Sequence, residues 1–169
     1  YVVKATSTYT PTVVAGPDAN PDTSSGGQDV NQVINLLTNT DGKDTAASGA
    51  TLNAASVKLC AVANPSATPP VLAETAPNCT KTSVVVPGVG TYSVSNTGVM
   101  TFDPLPTFTG APAPLAYTVL DSNGVKADST YTPTVLAKPV ARPDTTTGNK
   151  DVNQVVNLVT NPDPSGTDA

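Results

Sequence analysis

The strongest constraint on this chain is that it repeats itself. Val3 to Asp41 align without a gap on Val125 to Asp163 at an offset of 122, with roughly 27 of 39 positions identical. Ser7 to Val13 (STYTPTV) returns as Ser129 to Val135, and Asp29 to Val33 (DVNQV) as Asp151 to Val155. Solenoid turns repeat every roughly 20 to 50 residues, so a period this long describes separately folded domains in tandem. Cutting after the Tyr-Thr-Pro-Thr-Val block divides the chain into the last strand of an upstream repeat (1–14), one complete unit (15–136), and a linker with the first strand of a downstream repeat (137–169). The chain then reads as a piece of a longer array. The joints, Ala15 to Pro21 and Ala137 to Pro143, carry Pro17, Pro21, Pro139 and Pro143. Proline fixes φ, so these joints are expected to be semi-rigid.

Threonine, serine, asparagine, alanine, valine and 17 prolines dominate the chain, the composition of strands joined by turns. Seven strands are predicted, near Asp29 to Leu37, Ala55 to Val62, Thr82 to Val86, Thr91 to Ser95, Val99 to Phe102, Ala116 to Asp121 and Val125 to Val135. Their spacing predicts an all-β fold, an Ig-like antiparallel β-sandwich. Two hairpins are signalled. In one, Tyr92 and Val94, then Val99 and Thr101, alternate about Asn96-Thr97-Gly98; in the other, Tyr117 and Val119 face Val125 and Ala127 across Asp121-Ser122-Asn123-Gly124, whose Asn-Gly favours a type I′ turn. Gly98 and Gly124 are the turn glycines. The best helical candidate is Thr51 to Ala55, one turn at most. Tyr92, Phe102, Phe108, Tyr117 and Tyr131 are the aromatics available to a core that valine and leucine must otherwise fill.

The chemistry available is narrow. Histidine and tryptophan are absent, and Glu74 is the single glutamate. Without histidine there is no Ser-His-Asp or Cys-His system and no ordinary zinc or iron site. Gly88-Val89-Gly90 lacks the rest of a dinucleotide fingerprint, and no phosphate-binding loop motif occurs. Catalysis is therefore not expected. A net charge of −5 with eight scattered basic residues argues against nucleic-acid binding, and no apolar run approaches the length a membrane-spanning helix needs.

Cys60 and Cys79 are the only cysteines, and they bracket a proline-rich insertion, 61–78. A disulfide is the favoured reading, because an acidic, low-charge tandem β-array reads as extracellular, where thiols oxidise; two free, buried thiols in a cytosolic protein are the alternative. Aspartates gather about the unit's opening: Asp18, Asp22, Asp29, Asp41 and Asp44. Hard oxygen ligands on loops suit calcium, for which Asn39, Asp41 and Asp44 are the candidate ligands, although turn-forming aspartate is the commoner explanation of such residues. No other cofactor is required. The second copy has Pro164 for Gly42 and Gly166 for Asp44, so such a site need not recur. Asn78-Cys79-Thr80 has the form of a glycosylation acceptor but centres on the presumed bridge cysteine. Leu105 to Gly110 (LPTFTG) reads as a loop, and no isopeptide crosslink can be paired from sequence.

Gly90 to Val135 resembles the CshA-type fibril repeat of bacterial surface adhesins. The carrying residues are Gly90-Thr91-Tyr92, the Gly98 to Phe102 strand, Pro104 to Gly110, Asp121 to Gly124 and the Tyr131-Thr132-Pro133 ending. The opening, Pro21 to Asp41, is also similar to the start of bacterial cadherin-like repeats, which is where calcium would enter by analogy. The resemblance implies a β-sandwich repeated along an extracellular fibre, at a bacterial cell surface or secreted. Its partners would be neighbouring repeats or identical subunits docked end to end, without nucleic acid and without membrane insertion of this segment. The expected role is a stalk that presents a distal binding region or builds a filament. The alternative is an adhesive module that contacts glycan or host or matrix protein through the 61–78 insertion.

Overall fold

The computed structural model describes residues 1–159. Eight strands form β1 (Asp22–Gly27), β2 (Gln32–Asn35), β3 (Leu52–Leu59), β4 (Ser83–Val86), β5 (Gly90–Val94), β6 (Val99–Pro104), β7 (Leu115–Asp121) and β8 (Lys126–Leu136). They lie in two four-stranded sheets of order β1-β8-β7-β3 and β2-β6-β5-β4. The β-sandwich read from the sequence is therefore the fold. It has one strand more than the turn spacing suggested, and Leu52 to Ala55 of the helical candidate Thr51 to Ala55 instead open β3.

The additional strand is β1, which pairs with β8 in parallel, Asp22 opposite Tyr131 and Gly27 opposite Leu136. Its sequence, Asp-Thr-Ser-Ser-Gly-Gly, has no apolar alternation to announce it. It is held by its ladder and by side-chain contacts between the sheets: Ser24 Oγ donates to Gln32 Oε1, and Gln32 Nε2 donates to Thr134 O at 2.9 Å. Gly26 is required here, because a Cβ would stand 2.8 Å from Gln32 Cγ. The second copy keeps this device, with Thr146 donating to Gln154 and Gly148 as close to Gln154. Asp29 and Asp151, at matching turns, share a left-handed backbone at φ 63 and 60°.

Both hairpins use three-residue loops. Gly98 N donates to Ser95 O and Gly124 N to Asp121 O, and the two glycines have φ of 76 and 77°. This is a type I turn closed by a glycine bulge rather than the type I′ turn expected at Asn123-Gly124. Asp121 decides it, since its Oδ1 accepts from Asn123 N and Val125 N, both at 2.9 Å. Ser95 Oγ accepts similarly from Thr97 N and Val99 N. A three-residue loop also sets the phase. Val94 lies opposite Met100 and Tyr92 opposite Phe102, so Met100 and Phe102, not Val99 and Thr101, face the core. Tyr117 pairs with Ser129 and Val119 with Ala127.

The core lies between the sheets. Leu36, Leu59, Met100, Phe102, Tyr117 and Tyr131 have no exposed surface, and Val57, Val119 and Val135 are nearly as deep. Tyr92 stacks on Phe102 with ring centroids 4.5 Å apart and meets Tyr131 edge-on at 6.1 Å, arrangements that add to area burial. Phe108 packs at the margin.

Candidate functional site

Two features carry unusual chemistry: the cysteine-bracketed insertion and a buried carboxylate pair where the chain enters the sandwich.

Cys60 and Cys79 are bridged. They follow β3 and precede β4, so the bridge ties both ends of the insertion to the sandwich while Asn64 and Val71 exchange backbone hydrogen bonds further out. Glu74 organises the base. Its carboxylate accepts from Thr80 Oγ1 at 2.5 Å, Ala61 N at 3.0 Å and Thr80 N at 3.1 Å, with Lys81 Nζ 3.5 Å away. The Thr80 hydroxyl and the Ala61 amide hold its carboxyl down at about 2. Between this insertion and edge strand β4 lies an apolar hollow lined by Val62, Ala67, Val71, Val84 and Val85, with Lys81 at its side. Asn78 and Thr80 of the acceptor-like triplet are both exposed.

The entrance is built differently. Asp18 and Thr45 exchange backbone hydrogen bonds of 2.8 and 2.9 Å, and Asn20 Nδ2 donates to Lys43 O at 3.2 Å. The incoming segment is thus pinned to the loop between β2 and β3. Gly42 allows the contact, with φ 93° and a would-be Cβ 2.8 Å from Pro21 O. Beneath it lie Asp22, 1% exposed, and Asp44, 2% exposed. Tyr117 reaches both: its hydroxyl is 2.7 Å from Asp22 Oδ2, 3.3 Å from Asp44 Oδ2 and 3.4 Å from Asn20 O. Asn39 Nδ2 donates to Asp22 Oδ1 at 2.5 Å, and Asn20 N to Asp44 Oδ1 at 2.8 Å.

Burial pushes the Asp22 carboxyl up to about 6, against the pull of its bonds from Tyr117 and Asn39. It raises Asp44 as well, against the Asn20 amide. Burial, with Asp22 accepting its proton, drives the Tyr117 hydroxyl far above its ordinary value, while Ser129 pulls the other way.

Of the residues singled out as calcium ligands, Asn39 and Asp44 both border this cluster, whereas Asp41 accepts from Thr23 Oγ1 at the exposed rim. Asp22 stands among the aspartates gathered at the opening without being a candidate ligand, and Tyr117 reads in sequence as a core aromatic alone. For Asp22 the sequence signals are that clustering and its recurrence as Asp144, and a turn aspartate gives the same signals. Among the described residues no three acidic, histidine or cysteine side chains converge. Pro17, Pro21, Pro139 and Pro143 all lie outside the strands, and Pro21 immediately precedes β1. Asp163 lies outside the described residues. No helix among the described residues is long and apolar enough to cross a membrane.

No curated protein matches the chain. A family model described as the surface adhesin CshA repetitive domain matches residues 15–135, well over half of the sequence. With its β-sandwich, its tandem recurrence and its strand-end motifs, the chain belongs to the CshA surface-adhesin repeat family.

Proposed function

We propose that this unit is a load-bearing spacer, one bead of a stalk or fibre at a bacterial cell surface or in a secreted filament, with neighbouring repeats docked end to end and no catalysis of its own. The observation that carries the reading is the parallel pairing of the first strand with the last. Incoming Gly16 packs beside Val125, just before β8, and the chain leaves from Leu136 at its far end. Strand β8 runs 11 residues, about 36 Å at about 3.3 Å per residue. An antiparallel pair would return the exit to the side of entrance, whereas this one carries the chain through the unit. Tension along the array then loads the β1–β8 ladder in shear, so its hydrogen bonds resist together rather than one at a time.

Single-molecule stretching tests this. Units pulled through their own termini are expected to unfold at clearly higher force than units pulled between residue 137 and the β5–β6 loop. Equal forces in both geometries would remove the argument for a load-bearing spacer.

A second reading rests on the apolar hollow beside the insertion, where Val85 is exposed. There the unit would bind glycan or host or matrix protein. Deleting residues 62–77, with the bridge retained, and repeating an adhesion assay separates the two: unchanged adhesion supports the spacer, and lost adhesion by a folded variant supports the binding module.

A further inference from the structure

Asp22 and Asp44 are two nearly fully buried carboxyls, and no lysine or arginine is among the groups that set the proton affinity of either. The Tyr117 hydroxyl has one proton for both. At 2.7 Å from Asp22 and 3.3 Å from Asp44 it donates to Asp22, which leaves Asp44 Oδ2 facing an oxygen. Two further polar atoms at the cluster are buried without a hydrogen bond of normal length: Asn39 Oδ1 and Ser129 Oγ. Ser129 is 9% exposed. It stands directly across the ladder from Tyr117, on the same face, and its hydroxyl bears on the phenol. Buried polar groups are rarely left unmatched, and several unmatched oxygens around uncompensated negative charge point to a positive ligand.

We propose that this cluster is a calcium site, with Asp22 and Asp44 as the charged ligands and Asn39 Oδ1, the Asn20 carbonyl and the Tyr117 or Ser129 hydroxyl as neutral oxygens. Every donor is a hard oxygen, the set that calcium takes in flexible six- to eight-fold coordination. Zinc is disfavoured, since the chain has no histidine and both cysteines are bridged. Two surface hollows flank the cluster and offer access, one bordered by Asn39 and Asp41, the other by Asp44. With two carboxylates rather than three or four, affinity belongs to the weak class of extracellular modules, Kd on the order of 10⁻⁴–10⁻³ M. The competing occupant is a proton on Asp44, donated to Tyr117, which in turn donates to Asp22. That chain satisfies both acids but leaves Asn39 Oδ1 without a donor. Asn20 belongs to the incoming segment and Asp44 to the loop that pins it, so an ion here fastens the joint to its bead whether the bead is a spacer or a binding module.

The test is thermal unfolding of the full chain at neutral pH, first in EDTA and then with about 10 mM calcium or magnesium, alongside calorimetric titration. Calcium is expected to raise Tm by about 5 °C or more, magnesium by less, with one binding event per chain. Asp44→Asn is expected to abolish the rise while remaining folded. Should that variant not fold, calorimetry of the unaltered chain at pH 5 replaces it, where protons on the ligands should weaken binding about tenfold or more. No rise in Tm and no binding heat at neutral pH would establish the proton chain and overturn the site, as would a full calcium response in folded Asp44→Asn or equal affinity at both pH values.

Discussion

In calcium-free buffer the entrance cluster should make the unit less stable as pH rises from mildly acidic to neutral, the reverse of ordinary acid denaturation. Burial lifts the Asp22 carboxyl from 3.8 to about 6, so between those values the folded state holds a proton that the unfolded chain has released. Stability then falls with rising pH across that window, and the penalty is complete above pH 6. At 1.36 kcal/mol per pKa unit the full effect of Asp22 is about 3 kcal/mol, of which about 2 kcal/mol falls between pH 4.5 and 7. Little screening discount applies, because Asp22 is 1% exposed. Asp44 is shifted in the same direction, so its share steepens the slope.

The assay is urea denaturation in EDTA at half-unit steps from pH 4.5 to 7.5, on the unaltered chain and on Asp22→Asn. The substitution suits the site. Asn39 can turn its carboxamide over and present the unpartnered Oδ1 to the new amide, while Tyr117 still donates to the side-chain oxygen. Asp22→Asn should therefore flatten most of the slope and gain about 1–3 kcal/mol at pH 7. Stability that is level or rises from pH 4.5 to 7 in both proteins would refute the charge accounting.

Two further predictions concern the frame. Replacing Cys60 and Cys79 with alanine, which opens a link between residues 19 apart, should cost about 3 kcal/mol on the chain-entropy account; a loss under about 1 kcal/mol in urea melts would mean that Glu74 and the Asn64–Val71 bridge already restrain the insertion. Gly124→Ala should cost about 1 kcal/mol, since its φ is 77° but nothing stands within 4 Å of a Cβ, whereas Gly90→Ala, with a Cβ 2.3 Å from Asp103 O, should cost several times as much; equal losses would show that backbone conformation alone matters.

Patterns within one segment were legible in the sequence. Alternation announced β5 to β8, glycine marked their turns, and the matching ends announced the tandem array. What escaped was set by partners far along the chain. Strand β1 has no apolar residue, so nothing local distinguishes it from a linker; its definition comes from the β8 ladder and from Gln32. The phase of β6 turned on one loop residue, because an odd-numbered turn exchanges inward and outward positions. The cluster joins Asp22 and Asp44 to Tyr117, which is 95 and 73 residues away respectively. Asp22 and Asp44 look in sequence like the turn aspartates around them, and only folding sorts buried from exposed.

The entrance and the through-chain geometry bear on each other. A spacer carries load only if tension entering from the preceding joint reaches the β1–β8 ladder before the joint peels from the bead. The contacts that oppose peeling are the Asp18–Thr45 exchange and the Asn20 bonds to Lys43 and Asp44, all made to the loop above the buried acids. Separate hydrogen bonds of these kinds are modest, at about 1–3 kcal/mol each. A calcium ion held between Asn20, Asp22 and Asp44 would couple them, so that the joint could yield only with the site. Calcium should therefore raise the force of the first yielding event in end-to-end pulling more than it raises the force at which the β1–β8 ladder itself shears. A calcium effect confined to the second event would detach the cluster from load transmission and leave it a purely internal device.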